Sequence, residues 1–394
     1  MTRAAFAPAL LALGCFAVLA LGVAIYYPFP SPFDELQHYS VIRAQFERPD
    51  LAADPRDYGI VRPDALSAWS GERNYINHPA LYYLLFAPLL GLGDGPLPLR
   101  LGNVVLATVA LALVLVAGGR RIESARGRLA FAVIAASFPK AVLVAGMINN
   151  DNLAALATAL VFAGLALPGG AAWLVALGLA LAGWTKLTAF IALGGTVGCY
   201  LVLGGRRAWW TGRTAFILTG CVVGALAYAV MWGRTGALVP INTQAFAVPP
   251  EARVVLTPIG FAARFVGDLA LKWPAAEASL PVALSGVLLI AQLALAAIGA
   301  RAAPAERRII LAFLAGTALL FVIHLGFGWR TFATMGDLTT PQSRYYAGVW
   351  PGIALGGALA LAAPRVPRWL TASGLALYLV MTVPGGLLLA AFAA

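Results

Sequence analysis

The sequence predicts an all-α protein that crosses a membrane about eleven times. Of its 394 residues, 61% are hydrophobic and 11% are charged, whereas a soluble domain carries roughly 25% charged residues. The hydrophobic residues gather in runs close to the ~20 residues that a spanning helix needs. All three cysteines lie inside such runs, so we interpret them as packing residues and not as a disulfide or zinc site.

Eleven apolar runs predict the membrane spans within a single domain covering residues 1–394. The longest connections between them are 28–96 and 233–281, and we expect no appended soluble domain. The predicted spans are 8–27, 97–118, 129–147, 153–167, 171–187, 189–204, 214–232, 282–300, 309–328, 345–363 and 370–391.

The distribution of arginine predicts the orientation. With the N-terminus in the cytoplasm, the short cytoplasmic connections carry thirteen arginines and two glutamates, which equals the formal net charge of +11. Cytoplasmic connections are enriched in basic residues. The positive charge therefore indicates topology and not nucleic-acid binding. Both long loops are expected on the outer face of a cytoplasmic (inner) membrane, whose lipids surround the spans.

Two segments of the first outer loop are predicted to lie on the membrane surface. Residues 78–93 are apolar but short and contain Pro79 and Pro88, which favours an interfacial or half-inserted helix. A second amphipathic helix is predicted from Pro32 to about Arg48, with Ser31 as its N-cap.

The stretch SPFDELQHY contains the first candidate site. Asp34 and Glu35 are adjacent, and Asp34 and His38 are four residues apart, so they share one helix face. A carboxylate beside hydrocarbon is expected to have a raised pKa, which suits a general base. The alternative is that Asp34 only caps the helix and that Glu35 is solvated.

Other candidate residues lie in the first outer loop and at the predicted outer ends of later spans. Asp151 stands among Asn149, Asn150 and Asn152 on a tight turn, where the alternative is helix capping. Lys186 interrupts an apolar stretch and is expected to face a cavity or a partner, or to reach the lipid headgroups. Further candidates are His78, Tyr82, Arg330, Arg344 and Tyr345, and their alternative is a belt of interfacial anchors.

The order of these motifs resembles the GT-C superfamily of membrane glycosyltransferases, which use polyprenyl-phosphate sugars. The motifs are FDELQH (33–38), HPALYY (78–83), NNDN (149–152), TKLT (185–188) and RYYAGVWP (344–351). Among these enzymes it is most similar to the group of the protein O-mannosyltransferases and the lipid A aminoarabinose transferase, and closest to an uncharacterised bacterial multi-span subgroup. The similarity covers roughly residues 5–355.

The resemblance implies an inverting transfer of a sugar, a hexose or a pentose, at the outer membrane face. The donor is a polyprenyl-phosphate sugar, and the acceptor hydroxyl belongs to a glycan, a lipid or a protein. Asp34, Glu35 and Asp151 are the implied catalytic residues. Arg344, Lys186, His78 and Arg330 are the candidates for the donor phosphate. His38, Asn149, Asn150, Tyr82 and Tyr345 are the candidates for positioning the acceptor or sugar.

Two questions stay open at the level of sequence. Asp34, His38 and Asp151 could instead hold a divalent cation, since carboxylate oxygens and imidazole are common metal ligands. The chain could also be a multi-span transporter or a flippase for lipid-linked sugars. Transporters concentrate ionisable groups near the middle of the membrane, whereas the carboxylates here gather at span ends, and this favours surface chemistry.

Overall fold

A computed structural model describes residues 6–93, 95–138, 140–167, 170–205, 211–240, 248–271, 282–338 and 341–382. Within this part the chain is helical apart from one small hairpin. The helices are α1 (Ala7–Tyr26), α2 (Glu35–Glu47), α3 (Leu81–Phe86), α4 (Leu97–Gly119), α5 (Ala125–Ala136), α6 (Ala141–Ala145), α7 (Asp151–Ala166), α8 (Ala172–Thr185), α9 (Leu187–Leu203), α10 (Gly212–Thr235), α11 (Pro258–Leu271), α12 (Val282–Ala302), α13 (Arg307–Met335), α14 (Trp350–Ala362) and α15 (Arg368–Thr382).

The long apolar helices match the predicted spans. Among the described residues five are long and apolar enough to cross a membrane: α1, α4, α10, α13 and the segment from Ser343 to Ala362. Helices α7, α8 and α9 are apolar but shorter. The last predicted span, 370–391, begins within α15, and its residues 383–391 lie outside the described part of the chain. In the loop 233–281, the same holds for 241–247 and 272–281.

The predicted third span is divided into two helices. Helix α5 ends at Ala136, and α6 begins only after Lys140, whose backbone has φ = 63°. That left-handed conformation is unfavourable for a residue with a Cβ and does not continue a right-handed helix. The break directs the lysine side chain into the protein interior, where it is 2% exposed.

The first long loop folds into a compact layer over the helices. It contains α2, a short 3₁₀ turn at Pro55–Asp57, strands β1 (Gly59–Arg62) and β2 (Ala65–Arg73) in an antiparallel hairpin, and α3 with a 3₁₀ continuation at Ala87–Leu92. The hairpin was not predicted from the sequence. The segment 81–92 is a short helix, too short to span a bilayer.

The predicted start of α2 is wrong by three residues. Asp34, and not Ser31, precedes the first helical residue, and its backbone is left-handed with φ = 60°. Asp34 makes no side-chain cap, because its carboxylate is engaged elsewhere. The Ser31 N–H instead donates to Glu35 Oε2 at 2.9 Å, so the glutamate reaches back to the chain before the helix.

Contacts at the two ends of the bundle divide its charged residues. At one end α1 finishes and α4, α7 and α9 begin, beneath the layer formed by α2, the hairpin and α3; we call this the site end. At the opposite end Arg121 contacts Glu306 at 3.6 Å, and Arg126 donates to the carbonyl of Ala362. The arginine-rich connections therefore lie at the end opposite to Asp34.

Candidate functional site

Asp34 is held at the site end by two side chains from distant parts of the chain. Arg344, in the 3₁₀ turn Ser343–Val349, forms an ion pair with Asp34 Oδ2 through its Nη2. The hydroxyl of Tyr75, on the loop after β2, donates to Asp34 Oδ1 at 2.5 Å. The Asp34 side chain is 27% exposed, so the carboxylate is accessible as well as fixed.

Arg344 also connects Asp34 to Asp151. Asp151 is the first residue of α7, and its Oδ2 lies 3.8 Å from Arg344 Nε. The other oxygen, Oδ1, accepts a hydrogen bond from Lys186 Nζ at 2.6 Å. The Lys186 ammonium also lies 4.6 Å from the ring centroid of Tyr345. Two carboxylates and two cations from four separate segments thus form one cluster.

The cluster sets the protonation of Asp34. Burial favours the neutral carboxyl, but the positive charge of Arg344 and the hydrogen bond from Tyr75 outweigh it, so the pKa of Asp34 lies below its usual value. The prediction of a raised pKa for Asp34 is therefore wrong. It was based on the neighbouring hydrocarbon, whereas the positive charge of Arg344 lowers the pKa. Asp34 is a carboxylate at neutral pH in the absence of a ligand.

Glu35 lies next to Asp34 in the chain but in a different environment. It is fully buried and forms a bidentate ion pair with Arg100 of α4, with nitrogen–oxygen distances of 2.8 and 2.7 Å. Its oxygens also accept from the backbone N–H groups of Ser31 and Ile148. Arg100 donates further to the carbonyl of Tyr27 at 2.7 Å. The pair joins the loop to three segments of the bundle and does not face the Asp34 cluster.

His38 and His78 lie beside the cluster as a stacked pair. Their ring centroids are 6.3 Å apart, and His38 Nδ1 lies 3.0 Å from the hydroxyl of Tyr83. Burial, reinforced by nearby positive charge from Lys186 and Arg344, places the pKa of both imidazoles well below the ordinary value. Both rings are therefore neutral at pH 7, and neither supplies a positive charge to a phosphate.

Several predicted positioning residues support the backbone of the site. Asn149 and Asn150 are fully buried. The side chain of Asn149 accepts from the Asp151 N–H and donates to the Phe33 carbonyl, which ties the two carboxylate segments together. Asn150 donates to the Thr185 carbonyl beside Lys186. Tyr82 is buried too, and its hydroxyl donates to Asn103 at 3.0 Å.

The remaining predicted cation, Arg330, is not part of the cluster. It lies on α13 with an exposed side chain, and none of the described contacts of Asp34, Asp151, Lys186 or Arg344 involves it. Tyr345, by contrast, lies against Lys186, and its ring centroid is 5.5 Å from the Arg344 guanidinium carbon.

The three residues considered as metal ligands do not form a ligand set. No group of three His, Cys, Asp or Glu side chains placed to hold a metal ion occurs in the part of the chain that the structure describes. Asp34 and Asp151 are each neutralised by a cation, and His38 Nδ1 is directed to Tyr83. We therefore derive no step of a mechanism through a metal.

An apolar cavity adjoins the cluster. Its walls come from α1, α4, α5, α7 and the start of α14, and along α4 it extends from Ala107 to Val114, roughly 10 Å at 1.5 Å per residue. At its polar end lie Asp151, Arg344 and Lys140. The charged site thus opens into a space that suits a hydrocarbon chain.

Sequence reasoning missed two of the residues that hold the site. Arg100 lies inside the first turn of α4, and a charge inside an apolar span usually has a partner. The position of Arg100 in the sequence therefore indicated a paired charge. It could not identify Glu35 as the partner, because Glu35 is 65 positions away. Tyr75 carried no signal, since a tyrosine in a polar loop is ordinary.

Similar proteins were found only by comparison with solved structures. No family model matches the sequence, and no curated protein matches it. The crystal structure of the Archaeoglobus fulgidus oligosaccharyltransferase in the apo form matches with a TM-score of 0.52 at 13% identity, covering 98% of this chain and 56% of that one. The fold of this chain is therefore similar to that of the archaeal enzyme.

A second structure of the same archaeal enzyme, tethered to an acceptor peptide containing the NVT sequon, matches with a TM-score of 0.47 at 14% identity over 98% of this chain and 55% of that one. The chain thus spans a little over half the length of the structures it matches. The mostly helical fold with its long apolar helices agrees with the all-α polytopic architecture predicted from the sequence. At this level of identity the likeness concerns the fold, and the chemistry must be argued from the site.

Proposed function

We propose that this protein is a glycosyltransferase that moves a sugar from a polyprenyl-phosphate donor to a hydroxyl acceptor at the outer face of the cytoplasmic membrane. The proposal rests on one observation: the Asp34–Arg344–Asp151–Lys186 cluster adjoins the apolar cavity. A donor of this class has a hydrocarbon tail, an anionic phosphate and a polar sugar. The cavity, the cations and the accessible carboxylate correspond to these three parts.

The positions of the charged groups support the following reaction. The acceptor hydroxyl gives its proton to Asp34 while its oxygen attacks the anomeric carbon. The bond from that carbon to the phosphate oxygen breaks, and the lipid phosphate leaves with the bonding electrons. A single displacement of this kind inverts the anomeric configuration. Arg344 stabilises the charge that develops on the departing phosphate, as a pre-positioned cation does in a low-dielectric site.

Arg344 has a second effect in this mechanism. Without a ligand it neutralises Asp34 and lowers the basicity of the carboxylate. A donor phosphate that takes hydrogen bonds from the same guanidinium weakens this ion pair and raises the basicity of Asp34. Binding of the donor therefore prepares the base, and Asp34 is a stronger base in the complex than in the free protein.

The proposal is tested by a pair of adjacent substitutions. We expect Asp34→Asn to lower the rate of transfer by about 10²–10⁴-fold, because the base is lost. The protein should still accumulate, since Arg344 keeps the carboxylate of Asp151 at 3.8 Å. Glu35→Gln is the matched control. It leaves Arg100 buried without a charged partner and is expected to lower the thermal stability of the purified protein.

Each variant is tested for complementation of a deletion strain. The glycans and lipids of the strain are analysed, and the protein level of each variant is measured. Wild-type protein should restore a missing glycan, and Asp34→Asn should not. Full complementation by Asp34→Asn would exclude Asp34 as the base. Flux of a lipid-linked sugar across proteoliposomes, with no transfer to any acceptor, would favour the flippase instead.

A further inference from the structure

A second cavity lies at the end of the bundle opposite to Asp34. It is bounded by Arg120 at the end of α4, by the first turn of α8 and by the first turn of α10. Arg121, next to Arg120, contacts Glu306 at that end, so the cavity lies among the arginine-rich connections. It shares no described lining residue with the apolar cavity beside Asp151. We call it the arginine cavity.

The described lining residues of the arginine cavity carry positive charge alone. Arg120 and Arg213 are the charged residues among them, and both are exposed. The glutamates of this end, Glu123 and Glu306, are not among them, and Glu306 contacts an arginine outside the cavity. Arg213 Nη2 donates to the Gly170 carbonyl at 2.8 Å, which fixes the guanidinium at the wall. A guanidinium has five N–H donors, so Arg213 can also bind an anion.

The arginine cavity therefore suits a phosphate group. Arginine binds phosphate through two parallel hydrogen bonds from its planar fork. The first turns of α8 and α10 add partial positive charge, since the first N–H groups of a helix have no partner within that helix. With no carboxylate among its described lining residues, the cavity offers no partner to the ammonium of a zwitterionic headgroup. The expected ligand thus carries net negative charge.

Exposed apolar side chains beside the arginines indicate that this phosphate belongs to a lipid. Trp173 and Phe216 line the same cavity and are 58% and 57% exposed. Phe216 follows Arg213 by three residues, so it lies on the same face of α10, roughly 4.5 Å further along the helix. Val223 and Leu226 continue this exposed face at helical spacing. A headgroup at the arginines would place its acyl chain along α10.

We propose that the arginine cavity binds an anionic glycerophospholipid. Arg120 and Arg213 bind its phosphate, while Trp173 and Phe216 contact its glycerol and the upper part of an acyl chain. Basic pockets between helices at a membrane surface suit such headgroups, and tryptophan is common at that depth. The site does not depend on the proposed sugar transfer, because it lies at the opposite end of the bundle from Asp34.

The test measures lipid retention by the purified full-length protein in native mass spectrometry. The probes are phosphatidylglycerol and zwitterionic phosphatidylethanolamine with the same acyl chains. We expect the wild type to retain phosphatidylglycerol in preference, and Arg120→Gln to lower the ratio of the two by about 5-fold, as for the loss of one basic contact. Arg120 is chosen because its side chain makes none of the described hydrogen bonds, whereas Arg213 holds Gly170.

Arg365→Gln is the matched control. It removes an exposed arginine at the same end that is not among the described lining residues of the cavity. Its lipid ratio should equal that of the wild type. An equal fall in Arg365→Gln and Arg120→Gln would mean that the lipid responds to general surface charge, and a wild-type ratio near one would mean that the phosphate is not selected by charge. Either result would overturn the proposal.

Two further measurements separate a lipid from a free anion. Trp173→Ala should weaken the retention of both lipids and leave their ratio unchanged, because it removes an apolar contact and no charge. Excess inorganic phosphate should not displace phosphatidylglycerol from the wild type. Displacement by inorganic phosphate, or full retention of both lipids by Trp173→Ala, would show that the acyl chain contributes nothing at this cavity and would contradict a lipid site.

Discussion

At the residue scale, the two carboxylates of the first loop have separate environments. The backbone of Asp34 is left-handed, which turns its side chain toward Arg344 and Tyr75, while the first turn of α2 directs Glu35 inward to Arg100. One partly exposed carboxylate contacts Arg344, which lines the cavity, and one fully buried carboxylate fixes the loop that carries it. This division makes Asp34 the candidate base.

Removal of the hydrogen bond from Tyr75 tests what sets the pKa of Asp34 without changing the charge of any residue. Asp34 has a lowered pKa, so its ion pair with Arg344 is fully present above the unfolded value of about 3.9 and is lost as the pH falls through the lower folded value. Tyr75→Phe removes one interaction that favours the carboxylate. We expect the acidic limb of the kcat/KM profile to move to higher pH.

The pH profile of kcat/KM reports the free protein, so this shift should appear there whether or not donor binding changes the base. The matched control is Tyr58→Phe, because Tyr58 belongs to the same loop layer but its hydroxyl contacts Gln45. Its acidic limb should coincide with that of the wild type. An unmoved limb in Tyr75→Phe would mean that another group titrates there.

At the scale of elements, close helix contacts fix the positions of the segments that carry the site. Helices α8 and α10 approach at Gly183 and Gly224, where a Cβ built on Gly183 would lie 2.3 Å from the Gly224 carbonyl oxygen. Gly183 is two residues before Thr185, at the end of the helix that precedes Lys186. Small residues allow such backbone contact between membrane helices.

We expect Gly183→Ala to destabilise the protein by about 1–3 kcal/mol, because the added methyl group forces α8 and α10 apart. Gly194→Ala, on α9, is the matched control. A Cβ there meets nothing within 4 Å, so this variant should be neutral or slightly more stable, as alanine favours helix over glycine. Thermal unfolding in detergent measures both. Equal effects of the two substitutions would contradict the close contact.

At the scale of the whole molecule, the charged residues divide between two ends. Asp34, Asp151, Lys186 and Arg344 meet at the site end, while arginines such as Arg126 contact the opposite end. Basic residues mark the cytoplasmic side. If this rule holds here, the Asp34 cluster faces outward, where a lipid-linked donor presents its sugar.

Cysteine labelling tests this orientation. After replacement of the three native cysteines by alanine, Glu72→Cys at the site end and Arg365→Cys at the opposite end give two exposed positions. In intact cells a membrane-impermeant reagent should label Glu72→Cys, and it should label Arg365→Cys only after the cells are permeabilised. The reverse pattern would place the cluster in the cytoplasm and remove the physical basis of the proposed outer-face transfer.

The sequence by itself determined the class of protein, the approximate positions of the long helices, and the separation of acidic from arginine-rich connections. These follow from the composition and order of the residues, because a spanning helix needs only a local run of apolar side chains. It also identified Asp34, Asp151, Lys186 and Arg344, since polar residues at the ends of apolar runs are conspicuous without any knowledge of their partners.

Only the tertiary structure decided which of these residues act together. The pairs Asp34–Arg344, Glu35–Arg100 and Asp151–Lys186 are 310, 65 and 35 positions apart, and no local pattern specifies such pairings. The direction of the Asp34 pKa shift, the burial of Glu35 and the place of Lys140 on the cavity wall depend on them. The physical reason is that the pairing and the pKa of a charged group in an apolar protein depend on its neighbours in space, and the fold supplies those neighbours.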